Sequence, residues 1–312
     1  MKHGANNPKK HHYVPRSYLE RFADSSGFLN VYDRTSGQWR KQQPKEVMHS
    51  RNYYRQEWAP AGVDPNILEK GLGERLEATA KSVIDTLILS PSELPEEDIA
   101  AFLVYLEFQR IRVPRQAETA KALMRDTILR LAPSDITADI RAGKFQLTMK
   151  KSARFDYTRM MVGQLHSWFS RMEWEVIEAA NESAFVTTDS PISFYNADCP
   201  PPAEAGIALA GTVVFFPLSS RHLLIMRHPE YRMNPSISRL DVLPDPILGD
   251  CLLPIIHGMV WSSGVVTNFN WKMAQLADRL VVGESKELLV QCVSQSDKVD
   301  APYLRGSELH NS

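Results

Sequence analysis

Apolar residues recur at every third or fourth position through the middle of the chain, and this spacing predicts a helical section over residues 61–171. The pattern is clearest over residues 66–89, and Pro91 marks its end. A second helix is expected from the acidic stretch after Pro95 to about Arg112, because acidic residues favour a helix N-terminus. Three further helices are expected in this section, at 116–131, 134–143 and 151–171.

The N-terminal section, residues 10–60, contains a hairpin pattern instead. Residues 28–33 and 38–41 flank Gly37, and this arrangement predicts a β-hairpin with the glycine in its turn. A short helix is expected over residues 15–23. A third strand or an extended segment is expected at Tyr53 and Tyr54. The section is therefore predicted to be a small β-module.

Residues 172–295 return to strand-like alternation. Five strands are expected there, over 174–177, 184–188, 192–195, 212–216 and 222–226. A Pro-rich segment over 229–254 then leads to a helix near 265–279 and a last strand over 280–283. The predicted fold class is α+β, with a small N-terminal β-module, a helical middle section, and a mainly antiparallel C-terminal sheet with a late helix.

The composition is that of an ordinary globular protein. With 312 residues, 43% of them hydrophobic and 23% charged, the chain can bury a sizeable core, and disordered, collagenous and coiled-coil classes are excluded. One α+β domain is predicted over residues 10–295, with flexible tails at 1–9 and 296–312. The three cysteines are too widely spaced for a disulfide framework or a zinc site. No secretory leader or membrane-spanning stretch is recognisable, so a cytoplasmic location is expected.

Charge is distributed unevenly along the chain. Residues 1–55 contain eleven lysines and arginines against four acids, which leaves 25 basic and 33 acidic residues in the remainder. Aromatic residues are interleaved with the basic ones, a mixture that suits stacking on bases together with phosphate contacts. The same mixture suits an ordinary β-module with a basic rim, and the basic end could instead dock on the acidic body.

The segment HHYVPRSYLERF at residues 11–22 resembles the opening signature H-Y-V-P-x-x-Y-L-x-x-F of a widespread, mostly bacterial family, domain of unknown function 4238. Further motifs of that family follow in order, VYDR at 31–34, QRIRVP at 109–114, FVTTDSP at 185–191, FPLSS at 216–220 and ADRLV at 277–281. The chain has Thr-Asp-Ser-Pro where the family usually has Ser-Asp-Asn-Pro, a change that keeps Asp189 and Pro191. The resemblance covers about residues 10–285 and implies no established activity.

His12 is the first candidate for chemistry, because histidine titrates near neutral pH and often acts as a general acid or base. In the alternative interpretation, the neighbouring apolar residues anchor the N-terminus in the core and His12 is a hydrogen-bonded spacer. Gln109 and Arg112 fall on or beside the apolar stripe of a predicted helix, so both need partners. Those partners are either the phosphate or carboxylate of a ligand, or Asp189 or a backbone carbonyl.

Asp189 follows a predicted strand, a position where a carboxylate is held on a rigid element and faces open space. The alternative is an Asx-type turn that ends the strand. Asn268, near the start of the late helix, either caps that helix or faces a site. His166 is interpreted as a core histidine. The chain contains no HExxH, CxxC, P-loop, GxGxxG or GxSxG motif, so the corresponding metalloenzyme, nucleotide-binding and hydrolase classes lose their support.

Together these features favour a hydrolase-like enzyme, a phosphodiesterase or nuclease that acts on nucleic acid or a nucleotide, as in bacterial defence against foreign DNA or RNA. Arg112 and Gln109 would hold an anionic group and His12 would transfer a proton, while Asp189 would either orient His12 or bind a divalent cation. Tyr13 and Asn268 complete the expected substrate-binding set. The alternative is a non-catalytic ligand- or nucleic-acid-binding regulatory protein.

Overall fold

The computed structural model describes residues 10–51, 53–54, 62–64, 71–145, 157–158, 160–201, 205–240 and 255–294. These residues form an α+β fold with three sheets, of five, four and two strands, which confirms the predicted fold class. The predicted tails at 1–9 and 296–312 lie outside the described residues, as does much of the Pro-rich segment. None of the described helices combines the length and apolarity needed to cross a bilayer.

The N-terminal section contains the predicted hairpin and a second, unpredicted strand pair. Its elements are β1 Lys10–His12, α1 Arg16–Leu19, β2 Leu29–Asp33, β3 Gln38–Gln42 and β4 His49–Arg51. Gly37 has φ 68°, the left-handed conformation that the β2–β3 turn requires. β1 pairs with β4 in an antiparallel two-stranded sheet. The prediction of a third strand or extended segment at Tyr53 and Tyr54 is wrong, because both residues lie in a turn. The Tyr54 amide donates to His11 Nδ1 at 2.9 Å.

The middle section is helical. A π-helical segment Leu72–Glu77 continues into α2 Ala78–Leu89, and α3 Glu96–Ile111, α4 Pro114–Leu131 and α5 Ser134–Arg141 follow. Pro114 starts α4, because its fixed φ suits the first helical turn. Of the helix expected over 151–171, residues 151–156 and 159 lie outside the described residues. What is described of it is interrupted at Gly163, with φ 95°, before the short α6 His166–Phe169.

The five-stranded sheet has the order β10-β5-β9-β8-β7. Its strands are β5 Glu173–Ala179, β7 Ser193–Tyr195, β8 Val213–Pro217, β9 His222–Arg227 and β10 Ile255–Trp261. Only the β10–β5 pair is parallel. β10 was not predicted, because Gly258, with φ 85°, and a register shift after Ile256 interrupt its alternation.

The four-stranded sheet joins the two ends of the chain. Its order is β3-β2-β11-β6, with β6 Thr187–Thr188 and β11 Leu280–Gly283. The strand expected over 184–188 is shorter because the Val186 amide and the Ala184 carbonyl bond to the side chain of Asn270 instead of to a strand. Three helices complete the section, α7 Pro229–Met233, α8 Ser263–Leu276 and the unpredicted α9 Lys286–Ser294.

Both faces of the five-stranded sheet are covered by hydrophobic residues. Val214 and Phe216 of β8 belong to one core cluster, which α2 and α3 complete. Their neighbours Val213 and Phe215 point to the other face and pack with Phe269 of α8 in a second cluster. A strand buried on both faces loses its polar alternation, and β8 accordingly consists only of buried residues.

Candidate functional site

The polar residues of the sequence motifs hydrogen-bond to one another across the fold. Tyr18 donates its hydroxyl hydrogen to the Pro217 carbonyl at 2.7 Å, and its oxygen lies 2.8 Å from Thr187 Oγ1. Asp33 of β2 pairs with Arg279, where Oδ2 accepts from Nη2 at 2.6 Å. This arginine and bonds from backbone amides lower the pKa of Asp33 to about 2. The motifs, distant in sequence, therefore meet in one region of the structure.

Asp189 lies directly after β6 and holds the connection between α8 and β11. Its carboxylate accepts three backbone amides, from Asp278 at 3.0 Å, Arg279 at 2.8 Å and Leu280 at 2.9 Å. Burial raises the pKa of Asp189 to about 6, although the hydrogen bonds from these amides lower it. Asp189 thus makes its hydrogen bonds with backbone groups rather than with His12.

Gln109 and Arg112 are buried near the end of α3, as the sequence predicts, and their partners lie within the protein. Gln109 Nε2 donates to the Tyr13 carbonyl at 3.1 Å, and its Oε1 accepts Arg112 Nε at 2.7 Å. Arg112 Nη1 donates to Glu77 Oε1 at 2.8 Å. Glu77 was missed from the sequence, although it directly precedes α2 and its spacing from Ala80 and Ile84 puts it in line with the apolar stripe of that helix.

His12 lies on a small basic face formed by β1 and β4. The register pairs Lys10 with Arg51 and His12 with His49, so these four side chains share one side of the two-stranded sheet. The rings of His12 and His49 are 5.6 Å apart between centroids. Lys10 and Arg51 are exposed, and both histidines are half-buried. We call this surface the basic face; Lys10, His49 and Arg51 were not singled out from the sequence.

The ring of His12 makes a hydrogen bond with the backbone of Lys45. Its Nε2 is shielded from solvent and has no hydrogen-bond partner among the described residues. Burial and, next, His49 lower the pKa of His12, while the hydrogen bond with the Lys45 backbone and the charge of Glu77 act in the opposite direction. Burial and Lys10 likewise lower the pKa of His49. Glu77 therefore interacts both with His12 on the basic face and with Arg112 behind it.

Tyr13 connects the Gln109 network to the Asp189 region, whereas Asn268 lies elsewhere. The Tyr13 ring packs 5.9 Å from that of Tyr53, and burial together with Asp189 raises the pKa of its hydroxyl. Asn268 is buried in α8, which packs on the opposite face of the five-stranded sheet from α3. The predicted substrate-binding residues are therefore not brought together at one point.

The described aromatic residues of the N-terminal section do not form a stacking surface. Tyr13, Tyr18, Phe22 and Tyr54 are buried in the core. Phe28, Tyr32, Trp39 and Tyr53 are half-buried. Contact of this section with a nucleic acid would consequently depend on its exposed cations rather than on stacking with bases.

An open cavity of the described structure lies away from the basic face. Within the described part of the chain, no group of three or more His, Cys, Asp or Glu side chains is placed to hold a metal ion. A cavity of about 1030 Å³ lies between α8, α9 and the loop after β5. Its lining includes Glu178, Glu182, Glu284 and Glu287, whose charges disfavour a phosphate-bearing ligand.

The sequence profile of a family described as "Protein of unknown function (DUF4238)" matches residues 10–287, which confirms the resemblance recognised in the motifs. No curated protein and no solved structure matches the chain.

Proposed function

As the chain belongs to the DUF4238 family, whose function is not known, we propose a function from its own residues: a phosphodiesterase that acts on nucleic acid or a nucleotide. The observation that carries the proposal is the basic face, where the β1–β4 register places Lys10 and Arg51 beside a pair of histidines. Exposed lysine and arginine bind phosphate, and imidazoles transfer protons near neutral pH. A role in bacterial defence and a cytoplasmic location are proposals that depend on this activity.

The two histidines suit a divided acid–base role. Cleavage of a phosphodiester requires removal of a proton from the attacking water or hydroxyl group and delivery of a proton to the departing oxygen. A neutral His12 would accept the first proton, and a protonated His49 would donate the second. Because the pKa values of both histidines are lowered, the state with one protonated ring is populated mainly in mildly acidic solution. Activity is therefore expected to be highest below pH 6.5.

Asp189, Gln109 and Arg112 have a positioning role in this proposal. Gln109 holds the Tyr13 backbone next to His12, and Arg112 holds Glu77, which also interacts with His12. Asp189 holds the α8–β11 connection through three backbone amides. A direct contact of these three side chains with the substrate is not required.

The proposal is tested by cleavage assays on single- and double-stranded DNA, RNA and dinucleotides, with and without Mg²⁺ and Mn²⁺. Substitution His49→Asn or His12→Asn is expected to lower the rate by about 10²- to 10⁴-fold, the usual contribution of an acid or base. His257→Asn, at an exposed position on β10, is the matched control and should retain full activity. Equal rates for His49→Asn and wild type would contradict the proposal.

Binding without chemistry is the second candidate, and the shielding of His12 Nε2 from solvent favours it. A general base must come within hydrogen-bond reach of the proton it removes. Under this second function, fluorescence anisotropy would show binding of an oligonucleotide at low salt while every cleavage assay remained negative. Binding that is lost in Lys10→Ala and Arg51→Ala would place the nucleic acid on the basic face.

A further inference from the structure

A second group of charged residues lies on the face of the five-stranded sheet that α8 covers, away from the basic face. The register aligns Tyr195 of β7, Val213 of β8, Arg227 of β9 and Glu173 of β5 in one row across the sheet. Directly opposed residues of antiparallel strands point to the same side. Val213 packs in the α8 cluster, so Tyr195 and Arg227 face α8 as well.

Arg227 is buried, with 8% of its surface exposed, and uses only part of its hydrogen-bonding capacity. Its Nη1 donates to Glu175, a buried residue of β5 on the same face. Its Nε and Nη2 are buried and have no hydrogen-bond partner among the described residues. These two nitrogens form the edge of the guanidinium that binds a carboxylate or phosphate through two parallel hydrogen bonds. Leaving such an edge buried and unsatisfied is costly.

Further donors lie on the same side of the sheet. Lys272 of α8 is buried, and its Nζ lies 3.3 Å from Tyr195 Oη and 4.8 Å from the centre of the Tyr195 ring. Asn268, one helical turn earlier, is also buried and lies on the same side of α8. Tyr195 and Arg227 are two strands apart, so their Cα atoms are separated by about 10 Å. This separation is within the combined reach of the two long side chains.

We propose that this cluster binds the anionic group of a small molecule, a phosphate or a carboxylate, with Arg227 as the bidentate ligand and Lys272, Tyr195 and Asn268 as additional contacts. Glu175 fixes one end of the guanidinium and leaves the bidentate edge free. Of the neighbouring acids, Glu173 pairs with Arg232 at 3.0 Å and Glu230 Oε1 pairs with Arg171 at 3.1 Å, whereas Glu230 Oε2 is buried without a hydrogen-bond partner among the described residues. The proposal is independent of the phosphodiesterase function and of the basic face.

The test is a thermal-shift and calorimetric titration of the full chain with inorganic phosphate, succinate and a nucleoside monophosphate. At least one of these anions is expected to raise the melting temperature with a concentration dependence that follows a single site. Equal affinity for phosphate and the nucleotide would identify free phosphate as sufficient, and tighter binding of the nucleotide would identify the group as part of a larger ligand. Preference for succinate would identify a carboxylate. No shift with any of the three overturns the proposal.

Substitutions test whether Arg227 binds the anion. Arg227→Lys keeps the charge but loses the bidentate edge, and is expected to weaken binding at least about tenfold. Arg232→Lys, in the nearby exposed pair with Glu173, is the control and should bind as wild type does. Unchanged affinity in Arg227→Lys overturns the proposal. If circular dichroism shows that this variant is unfolded, Tyr195→Phe replaces it, with an expected loss of about three- to tenfold; unchanged affinity there also overturns the proposal.

Discussion

Two polar regions of this protein differ in how completely their hydrogen bonds are satisfied. The carboxylate of Asp189 accepts three backbone amides and joins β6 to the connection between α8 and β11. On the basic face, His12 Nε2 has no partner in the described structure, Lys10 pairs with the carboxylate of Glu46, and Arg51 is exposed. Buried polar groups in folded proteins are nearly always hydrogen-bonded, so an exception needs an explanation. The region around Asp189 therefore stabilises the fold, whereas the basic face is where we expect a ligand to bind.

The comparison also separates residues that appeared equivalent in the sequence. His12 and Asp189 were predicted together as a catalytic pair. In the structure, Asp189 is 3% exposed and bonds to backbone amides, whereas His12 is half-buried beside His49. Their substitutions are therefore expected to affect different properties, stability for Asp189 and activity for His12.

The largest expected effect is the loss of stability in Asp189→Ala. Removal of the carboxylate leaves three amides without their acceptor, and we expect the free energy of unfolding to fall by about 3–5 kcal/mol. Chemical denaturation of wild type and variant measures this change. Asp278→Ala, at the exposed neighbouring position, is the matched control and should change stability by less than about 0.5 kcal/mol. A variant as stable as wild type but inactive would show instead that Asp189 is catalytic.

A slightly smaller effect is expected from pH. The folded-state pKa of Asp189 is raised from 3.8 to about 6, so the fold favours the protonated carboxyl. This contribution to stability is fully present below pH 3.8 and is lost as pH rises through about 6, a change of about 3 kcal/mol. The free energy of unfolding, measured between pH 4 and pH 7, should contain this loss in wild type and lack it in Asp189→Asn. The same pH dependence in both proteins would assign it to other groups.

The substitution Arg51→Ala is expected to have the smallest effect on stability. Its effect on oligonucleotide binding should be measurable. Arg51 is exposed, so the free energy of unfolding should change by less than about 0.5 kcal/mol. Loss of one phosphate contact should reduce the slope of log K against log salt for oligonucleotide binding by about one. Lys144→Ala, whose ion pair with Asp139 is exposed on another surface, is the control. An unchanged slope in Arg51→Ala would show that the nucleic acid does not bind at the basic face.

Several helices and strands could be predicted because the residues that specify them are close together in the sequence. The β2–β3 hairpin depends on Gly37, and α3 depends on an acidic first turn and a continuous apolar stripe. β10 and α9 could not be predicted in the same way. β10 is interrupted by a register shift, and α9 is a short helix of nine residues that buries only Leu289 and Cys292.

The site was predictable to a smaller extent than the fold. Burial of Gln109 and Arg112 followed from helical spacing, and both are buried. Glu77 carried the same signal at α2 but was not recognised, and it is the acid that pairs with Arg112. His49 carried no signal, because its importance comes from pairing with His12, 37 positions earlier in the chain.

The sequence by itself determined the fold class, the family and the buried positions, since periodicity, turn glycines and short motifs are properties of neighbouring residues. The tertiary structure decided which polar residues meet: Asp189 with the α8–β11 connection, Arg112 with Glu77, and His12 with His49. It also decided that Arg227 retains a buried, unsatisfied edge within the described structure. The physical reason is that a hydrogen bond or ion pair depends on distances of a few ångströms, and chain folding brings residues to such distances irrespective of their separation in sequence.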